Sequence, residues 1–358
     1  MRTPLIFVIN PGSTSTKLAV FRGLRCQLEW THNHLDESQT YCSSMKELAN
    51  LRVHAILEDF GRKGYSPEAF DLVVARGGLL KPLKGGVYRV NRKMAEDLAG
   101  CIYGRHLSNL GAIMAFKLVA GRGKKAYVVN PVVVDELAPV ARISGLPAVS
   151  RRSIFHVLNQ KAIAARVAKR LGKDYRSARL IVVHAGGGVS IGAHLNGKVV
   201  DVNNALEGEG PFTPERSGGL PLLDFLRYVK SKDLDITQVQ DEITRNSGFM
   251  AYLGTKDCRE IENRIKNGDP RARLYYRAFV YQMAKDIGAL AASVFNGRVD
   301  AVVLSGGIAA GSYFRRWMKK HVGFLGPVFV YPRNNEMETL AIGGWEVWKG
   351  KTRAKTYR

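Results

Sequence analysis

LIFVINPGSTSTKLAVFR, residues 5 to 22, decides how the fold of this 358-residue chain is read. Leu5, Ile6, Phe7, Val8 and Ile9 form a continuous apolar run, the mark of a strand buried on both faces. Pro11 and Gly12 break it, and Gly12 can take a positive φ that other residues resist. Ser13, Thr14, Ser15 and Thr16 then place four hydroxyls in one turn, and Lys17 opens a second strand that runs to Phe21. A tight turn aims several backbone N–H groups at one point, and hydroxyl donors with a lysine make that point a cradle for phosphate. The spacing is not that of a Walker A loop, which has a second glycine before its lysine and a helix after it. A plain hydroxyl-rich hairpin fits the same residues, so the rest of the chain decides between the two.

The length predicts two domains, and a hydrophobic content of 46% suffices for sizeable cores. No apolar run reaches the roughly 20 residues of a membrane helix, and the N-terminus reads as a first strand rather than a signal peptide. Cys26, Cys42, Cys101 and Cys258 are scattered and form no C-x-x-C pair. That argues against a zinc site or a disulfide framework and for a reducing cytoplasm. The formal charge of +23 suits anionic partners, nucleic acid included. It is spread along the chain with no accompanying nucleic-acid-binding motif, so specific nucleic-acid binding is not expected, even with the basic tail at residues 349–358.

Farther along, His32, His34, Asp36 and Glu37 read as a polar connector without metal-ligand spacing. Residues 45–61 predict an amphipathic helix. Residues 70–75 predict a strand ending on Arg76-Gly77-Gly78, where an arginine suits a bidentate hold on a carboxylate or phosphate and a simple turn fits equally. Helices are expected at 93–99 and 108–120 and a strand at 126–130. Ser153 opens a helix expected over 154–171, with His156 and Gln160 one turn apart on one face. His156 reads either as a catalytic group or as a buried, hydrogen-bonded core histidine. A second strand–turn–strand unit follows, at 180–184, 185–188 and 189–193, with Asn196-Gly197 turning into a strand at 198–202. The recurrence of such a hairpin reads as two related α/β halves. Residues 203–221 are irregular and polar, with Glu207, Glu209, Glu215 and Arg216, and long structured loops are often functional. A long helix at 272–295 feeds a strand at 301–304 and a third glycine turn, Ser305-Gly306-Gly307-Ile308-Ala309, suited to close approach of a nucleotide.

The segments INPGSTSTK (9–17), ARGGLLKPLKGGVYRVN (75–91), HAGGGVSIGAHLNGKVVDVNNALEGEGPFTPERSG (184–218) and LSGGIA (304–309) occur in order across nearly the whole chain, and together they resemble the acetate and butyrate kinase family. The resemblance implies an α/β, two-domain, actin-like ATPase or sugar-kinase-like fold: a duplicated mixed sheet flanked by helices, with a central nucleotide cleft. The implied N-terminal acyl-kinase domain spans 1–150 plus about 338–358, and the C-terminal nucleotide-binding domain spans 151–337. The resemblance also implies magnesium-dependent phosphoryl transfer between ATP or ADP and a short-chain, butyrate-like carboxylate, through an acyl phosphate, by a homodimer. By position, Asn10 and Glu336 match the magnesium-associated residues. Lys17, with Ser13 and Ser15 beside it, matches the first phosphate turn. Arg76 and Arg216 match the two active-site arginines. His184, Gly186, Gly187 and Gly188 match the second phosphate loop, and Asp257, Arg259, Gly306, Gly307 and Ile308 match segments at the adenosine end. Gln160 stands where acetate kinases carry a histidine, as in the butyrate branch. Phosphoryl transfer is mostly positioning and charge neutralisation. An ionised carboxylate nucleophile needs no strong general base, in keeping with a chain that shows no catalytic triad.

Three positions depart from the family pattern. VVNPVVVDE (128–136) carries Asn130 where the family has an active-site aspartate, which keeps the shape and loses the charge. Met337 stands where a second glutamate is common, and HAGGG replaces H-M-G-G-G. The first two lower the negative charge at the implied metal site. Two alternatives therefore stand beside the main reading: a relative acting on acetate, propionate or a branched acid, and a catalytically weakened nucleotide-binding paralogue.

Overall fold

The computed structural model describes residues 2–12, 14–34, 44–333 and 336–358. The chain forms two compact units, Met1–Val134 with Asn335–Arg358, and Asp135–Asn334. Residues 135–150, expected in the first domain, lie in the second unit. The Glu136 carboxylate accepts from Lys161 Nζ at 2.6 Å and from the Val199 N–H at 2.9 Å, and the Ala138 N–H donates to Val200 O at 2.8 Å.

The first unit is built on a seven-stranded mixed sheet. Its strands are β1 (Leu5–Pro11), β2 (Ser15–Arg22), β3 (Arg25–Asn33), β4 (Leu72–Ala75), β5 (Val87–Arg89) and β6 (Lys125–Val129), and a short strand, Lys355–Thr356, forms the edge beside β5. From that edge the order is β5, β6, β4, β1, β2, β3. All seven residues of β1 are buried, as its unbroken apolar run requires. Antiparallel β2 lies on one side and parallel β4 on the other, and the helices Asn109–Val119 and Glu336–Trp348 pack on β1 and β4. β2 starts at Ser15 rather than Lys17, because Thr16 already pairs with Pro11. The turn narrows accordingly, and the Gly12 N–H reaches Ser15 O at 2.7 Å.

The polar connector is corrected in part: residues 25–33 form β3 on the edge of the sheet. Leu28, Trp30 and His32 alternate as its half-buried face, and Trp30 packs on Phe7 and Phe60 with ring centroids 6.1 and 6.3 Å apart. His34 is buried, with Nε2 2.8 Å from Thr16 Oγ1. Asp36 and Glu37 lie outside the described residues. The helix Met45–Arg62 opens on a capping box between Ser44 and Glu47. Its inner face carries Arg52, only 1% exposed. The Arg52 guanidinium donates to Gly12 O at 3.0 Å and to Thr16 Oγ1 at 3.4 Å, so it braces the first turn.

The second unit has a five-stranded sheet of β7 (Leu180–Ala185), β8 (Val189–Leu195), β9 (Lys198–Val202), β10 (Ala301–Ser305) and β11 (Val328–Tyr331), in the order β11, β10, β7, β8, β9. That matches β6, β4, β1, β2, β3 of the first unit strand for strand. In each, two antiparallel pairings are followed by two strands parallel to the first. A register irregularity recurs as well, between Val20 and Phe21 in β2 and between Ala193 and His194 in β8. The duplication expected from the two hairpins is thus present in the topology.

β7 is buried on both faces. Ile181 and Val183 join a core with Tyr276, Phe279 and Met283 of the helix Pro270–Phe295. Leu180 and Val182 join a second core with Ile163, Ala164 and Val167 of the helix Val157–Arg170. This last helix was expected from residue 154. It begins at Val157 with His156 at its N-cap, because the Ala205 N–H holds Ile154 O at 2.9 Å and the Val157 N–H turns back to Phe155 O. Residues 203–221 carry no helix or strand, as expected. The helices Leu222–Ser231, Ile236–Thr244, Cys258–Lys266 and Ser312–Val322 were not singled out from the sequence.

Candidate active site

In the first unit the hairpin pairs Asn10 with Lys17 one step before the turn. Lys17 is exposed near the turn end of β2 and Ser15 is half-buried; Ser13 lies outside the described residues. Arg76 follows β4, and its N–H donates to Ile9 O at 3.0 Å, which seats it beside the end of β1. Glu336 is the first residue of the helix Glu336–Trp348, where the helix dipole favours a carboxylate. Asn10 Nδ2 donates to Glu336 Oε2 at 2.7 Å, and Arg76 Nη1 lies 3.5 Å from the same oxygen. Asn10, Arg76 and Glu336, expected from separate motifs, therefore meet in one cluster.

The donor chemistry of that cluster suits magnesium. Glu336 and Asn10 Oδ1 are hard oxygens, and magnesium keeps several waters, so it takes only one or two protein ligands. Among the described residues no group of three or more His, Cys, Asp or Glu is arranged to hold a metal. Asn130 clasps a neighbouring loop. It sits just after β6 with φ +42°, a conformation that asparagine tolerates better than most residues. Its Oδ1 accepts from the Gly86 N–H at 2.8 Å, and its own N–H donates to Gly86 O at 2.9 Å. Both bonds clasp the loop before β5, and an aspartate would make them equally well.

In the second unit His184 lies at the end of β7 opposite Ser190 of β8, one step before the glycine turn 186–188. Asn10 and Lys17 hold the same place in the first hairpin. The His184 ring stacks on His156 with centroids 4.0 Å apart and an interplanar angle of 18°. Gln160, fully buried, donates through Nε2 to Ser190 Oγ at 2.8 Å and Ser190 O at 3.1 Å, and His156 Nδ1 lies 3.0 Å from that hydroxyl. Arg216 donates to Ala205 O and lies so close to Gly188 that any Cβ there would collide with Nη1. Burial pulls the Arg216 pKa down while Glu215 opposes the shift; as an arginine it stays cationic. Gly306, at φ +86°, lies directly against Ala185 O, so the third glycine turn touches the end of β7. Gly307 is open and Ile308 is buried.

Asp257 caps the helix Cys258–Lys266 by accepting from the Arg259 N–H at 2.9 Å. Its carboxylate also grips the Arg259 guanidinium at 2.7 and 3.0 Å, and these contacts lower its pKa to about 2. Glu262 of the same helix, which the sequence reading missed, accepts from the Ser312 N–H at 2.9 Å and the Phe314 N–H at 3.2 Å and lies against Gly311. It ties the segment of Asp257 and Arg259 to the turn that follows β10. Arg52, under the first turn, is the other missed residue; a charge on the apolar stripe of an amphipathic helix was the available signal.

A family profile described as the Acetokinase family matches residues 147–341. Butyrate kinase 2 and butyrate kinase 1 of Clostridium acetobutylicum are 45% and 42% identical to this chain, each over 99% of both sequences. Among solved structures, an acetate kinase from Porphyromonas gingivalis superposes with a TM-score of 0.74 at 21% identity, covering 96% of this chain and 99% of that one. At that identity the likeness carries the fold alone, and the fold is the actin-like α/β architecture with two mixed sheets flanked by helices.

Proposed function

The chain belongs to the acetokinase family, and we propose that it transfers the terminal phosphoryl group of ATP to a short-chain, butyrate-like carboxylate, giving an acyl phosphate, and runs the reverse reaction with ADP. The observation that carries this reading is the identity of 45% to a butyrate kinase along 99% of both chains. The clusters of the two units give it chemistry. Arg76 presents a planar fork suited to the acid's carboxylate, and its bond to Glu336 holds that fork in place. The half-buried Arg216 is a preorganised cation for the equatorial oxygens of the transferred group. The backbone N–H groups of 186–188 and the side chains of Lys17 and Ser15 are donors for phosphate oxygens. His156, stacked on His184, offers its outer nitrogen as a further donor. Magnesium, held by Glu336 and Asn10 with its own waters, would neutralise phosphate charge during transfer. Asp257, Arg259, Gly306, Gly307 and Ile308 bind the adenosine end in this reading.

Incubating the protein with ATP, magnesium, hydroxylamine and acids from acetate to valerate tests it, since an acyl phosphate is trapped as its hydroxamate. A maximum at butyrate is expected, a maximum at acetate or a branched acid would move the substrate, and no hydroxamate with any acid would end the reading. The weakened-paralogue alternative draws on Asn130, whose bond to Gly86 an aspartate would also make. A homodimer in the cytoplasm completes the proposal. Leu222 and Leu223 are 77% and 67% exposed on one helix, an apolar face of the kind a second copy covers, and Cys26, Cys101 and Cys258 are free thiols. Light scattering of the purified protein reads the mass directly.

A further inference from the structure

β8 carries a buried polar face at alternate positions, Ser190, Gly192 and His194. Gln160 lies across it: its Oε1 would stand 2.5 Å from any Cβ at Gly192, so only glycine leaves room for the amide. The amide then bridges its neighbours. Nε2 reaches Ser190 O and Oγ, and Oε1 lies 3.0 Å from His194 Nε2. Beyond it, His194 Nδ1 lies 2.8 Å from Tyr175 Oη. Five residues thus form one chain of contacts, Tyr175, His194, Gln160, Ser190 and His156.

The direction of every hydrogen bond in that chain follows from donor and acceptor inventory. Ser190 O can only accept, so the nitrogen of the Gln160 amide faces Ser190 and its oxygen faces His194. That oxygen can only accept, so His194 carries its proton on Nε2. Its imidazole is fully buried and burial holds its pKa down to about 3, so Nδ1 is bare and accepts from the Tyr175 hydroxyl. Ser190 is fully buried and accepts from Gln160. Its own proton then points to an acceptor, and among the described residues His156 Nδ1 stands 3.0 Å away. The donations run one way, from Tyr175 to His156.

We propose that Tyr175, His194, Gln160 and Ser190 are positioning residues that hold His156 as the neutral tautomer with a bare Nδ1 and a protonated Nε2, so that a fixed N–H donor stands beside the stacked His184 and the glycine turn. This deepens the kinase reading and rests on it for the use of that donor. Glutamine matters at position 160 because an amide has one donor end and one acceptor end. A neutral imidazole there could relay in either direction.

Imidazole nitrogen-15 spectra of the free protein test the proposal with no ATP or acid present, so the result stands apart from whether the kinase reading holds. In the unmodified protein, Nδ1 of both His156 and His194 is expected at the shift of an unprotonated nitrogen and Nε2 at that of a protonated one. Gln160→Glu, ionised, presents acceptors at both ends. It should turn the Ser190 proton toward itself and move the His156 proton to Nδ1. Ser190→Ala, which removes no charge and little volume, should bring both His156 nitrogens toward averaged shifts and keeps the test open if the buried glutamate prevents folding. A protonated Nδ1 on His156 in the unmodified protein would overturn the proposal. So would an unchanged His156 pattern in Ser190→Ala. On the activity side, Ser190→Ala should lower kcat at least about tenfold with the KM for ATP little changed.

Discussion

Acidification from pH 7 to pH 5 should destabilise the second unit through His194. The ordinary imidazole value is 6.5, and in the folded chain burial holds His194 near 3. His34, in the first unit, is held near 4 by burial and by the neighbouring Arg52 charge. Once the pH drops below 6.5, the unfolded chain takes up a proton at each site and the folded chain does not. The unfolded state then binds more protons, so stability falls with falling pH, and the loss continues until each folded histidine titrates. Each pH unit of full linkage is worth about 1.4 kcal/mol. For His194 that amounts to about 2 kcal/mol at pH 5 and about 4 kcal/mol by pH 3. His194→Gln keeps an amide N–H for Gln160 Oε1 and removes the titrating group, leaving the share of His34 in place. Urea unfolding followed by circular dichroism at pH 7, 6 and 5 is the assay. Between pH 7 and pH 5 the unmodified protein should lose about 2 kcal/mol more than the variant. Equal losses would refute a neutral imidazole held at the centre of the buried chain.

Glu336→Gln keeps the side-chain shape and removes the charge shared by Asn10 and Arg76; hydroxamate formation should fall at least about a hundredfold with the melting temperature nearly unchanged. Gly188→Ala drives a methyl into Arg216 Nη1, so turnover should fall about a hundredfold while circular dichroism stays native. Gly306→Ala meets both a positive φ and the Ala185 carbonyl, and thermal unfolding should show a loss of about 2–3 kcal/mol. Asn130→Asp retains the bond to the Gly86 N–H and should match the unmodified protein in stability; Asn130→Ala loses it and should cost about 1 kcal/mol in urea unfolding.

Elements buried on both faces were plain in the sequence. β1 and β7 are written as unbroken apolar runs because a helix or a neighbouring core meets them on each side. β3 was not, since an edge strand with one half-buried face spells its period in Leu28, Trp30 and His32 among polar letters. The start of the helix at Val157 was misplaced by three residues because its cause, the Ala205 N–H, comes from a loop 51 residues beyond Ile154. The meeting of Asn10 with Glu336 spans 326 positions, a separation no local pattern reports, and only family resemblance suggested it. The Ser190-x-Gly192-x-His194 face is a different case. A period-two polar row inside an apolar strand is visible in the letters, and a glycine between two polar residues is the mark of a side chain lying over it.

The first unit is made from two stretches of chain, and this orders events during synthesis. β1, β2, β3, β4 and β6 leave the ribosome early, yet the helix Glu336–Trp348 that buries Met337, Leu340 and Ala341 arrives only after the whole of the second unit. The second unit, continuous from Asp135 to Asn334, has all its strands before that helix exists. On the nascent chain it is the continuous unit that can finish first, with the first sheet left waiting with an uncovered apolar face, a state open to chaperones and to aggregation. The carboxylate that meets Asn10 rides on the helix that ends this wait, so closure of the first core and assembly of its catalytic cluster are one event.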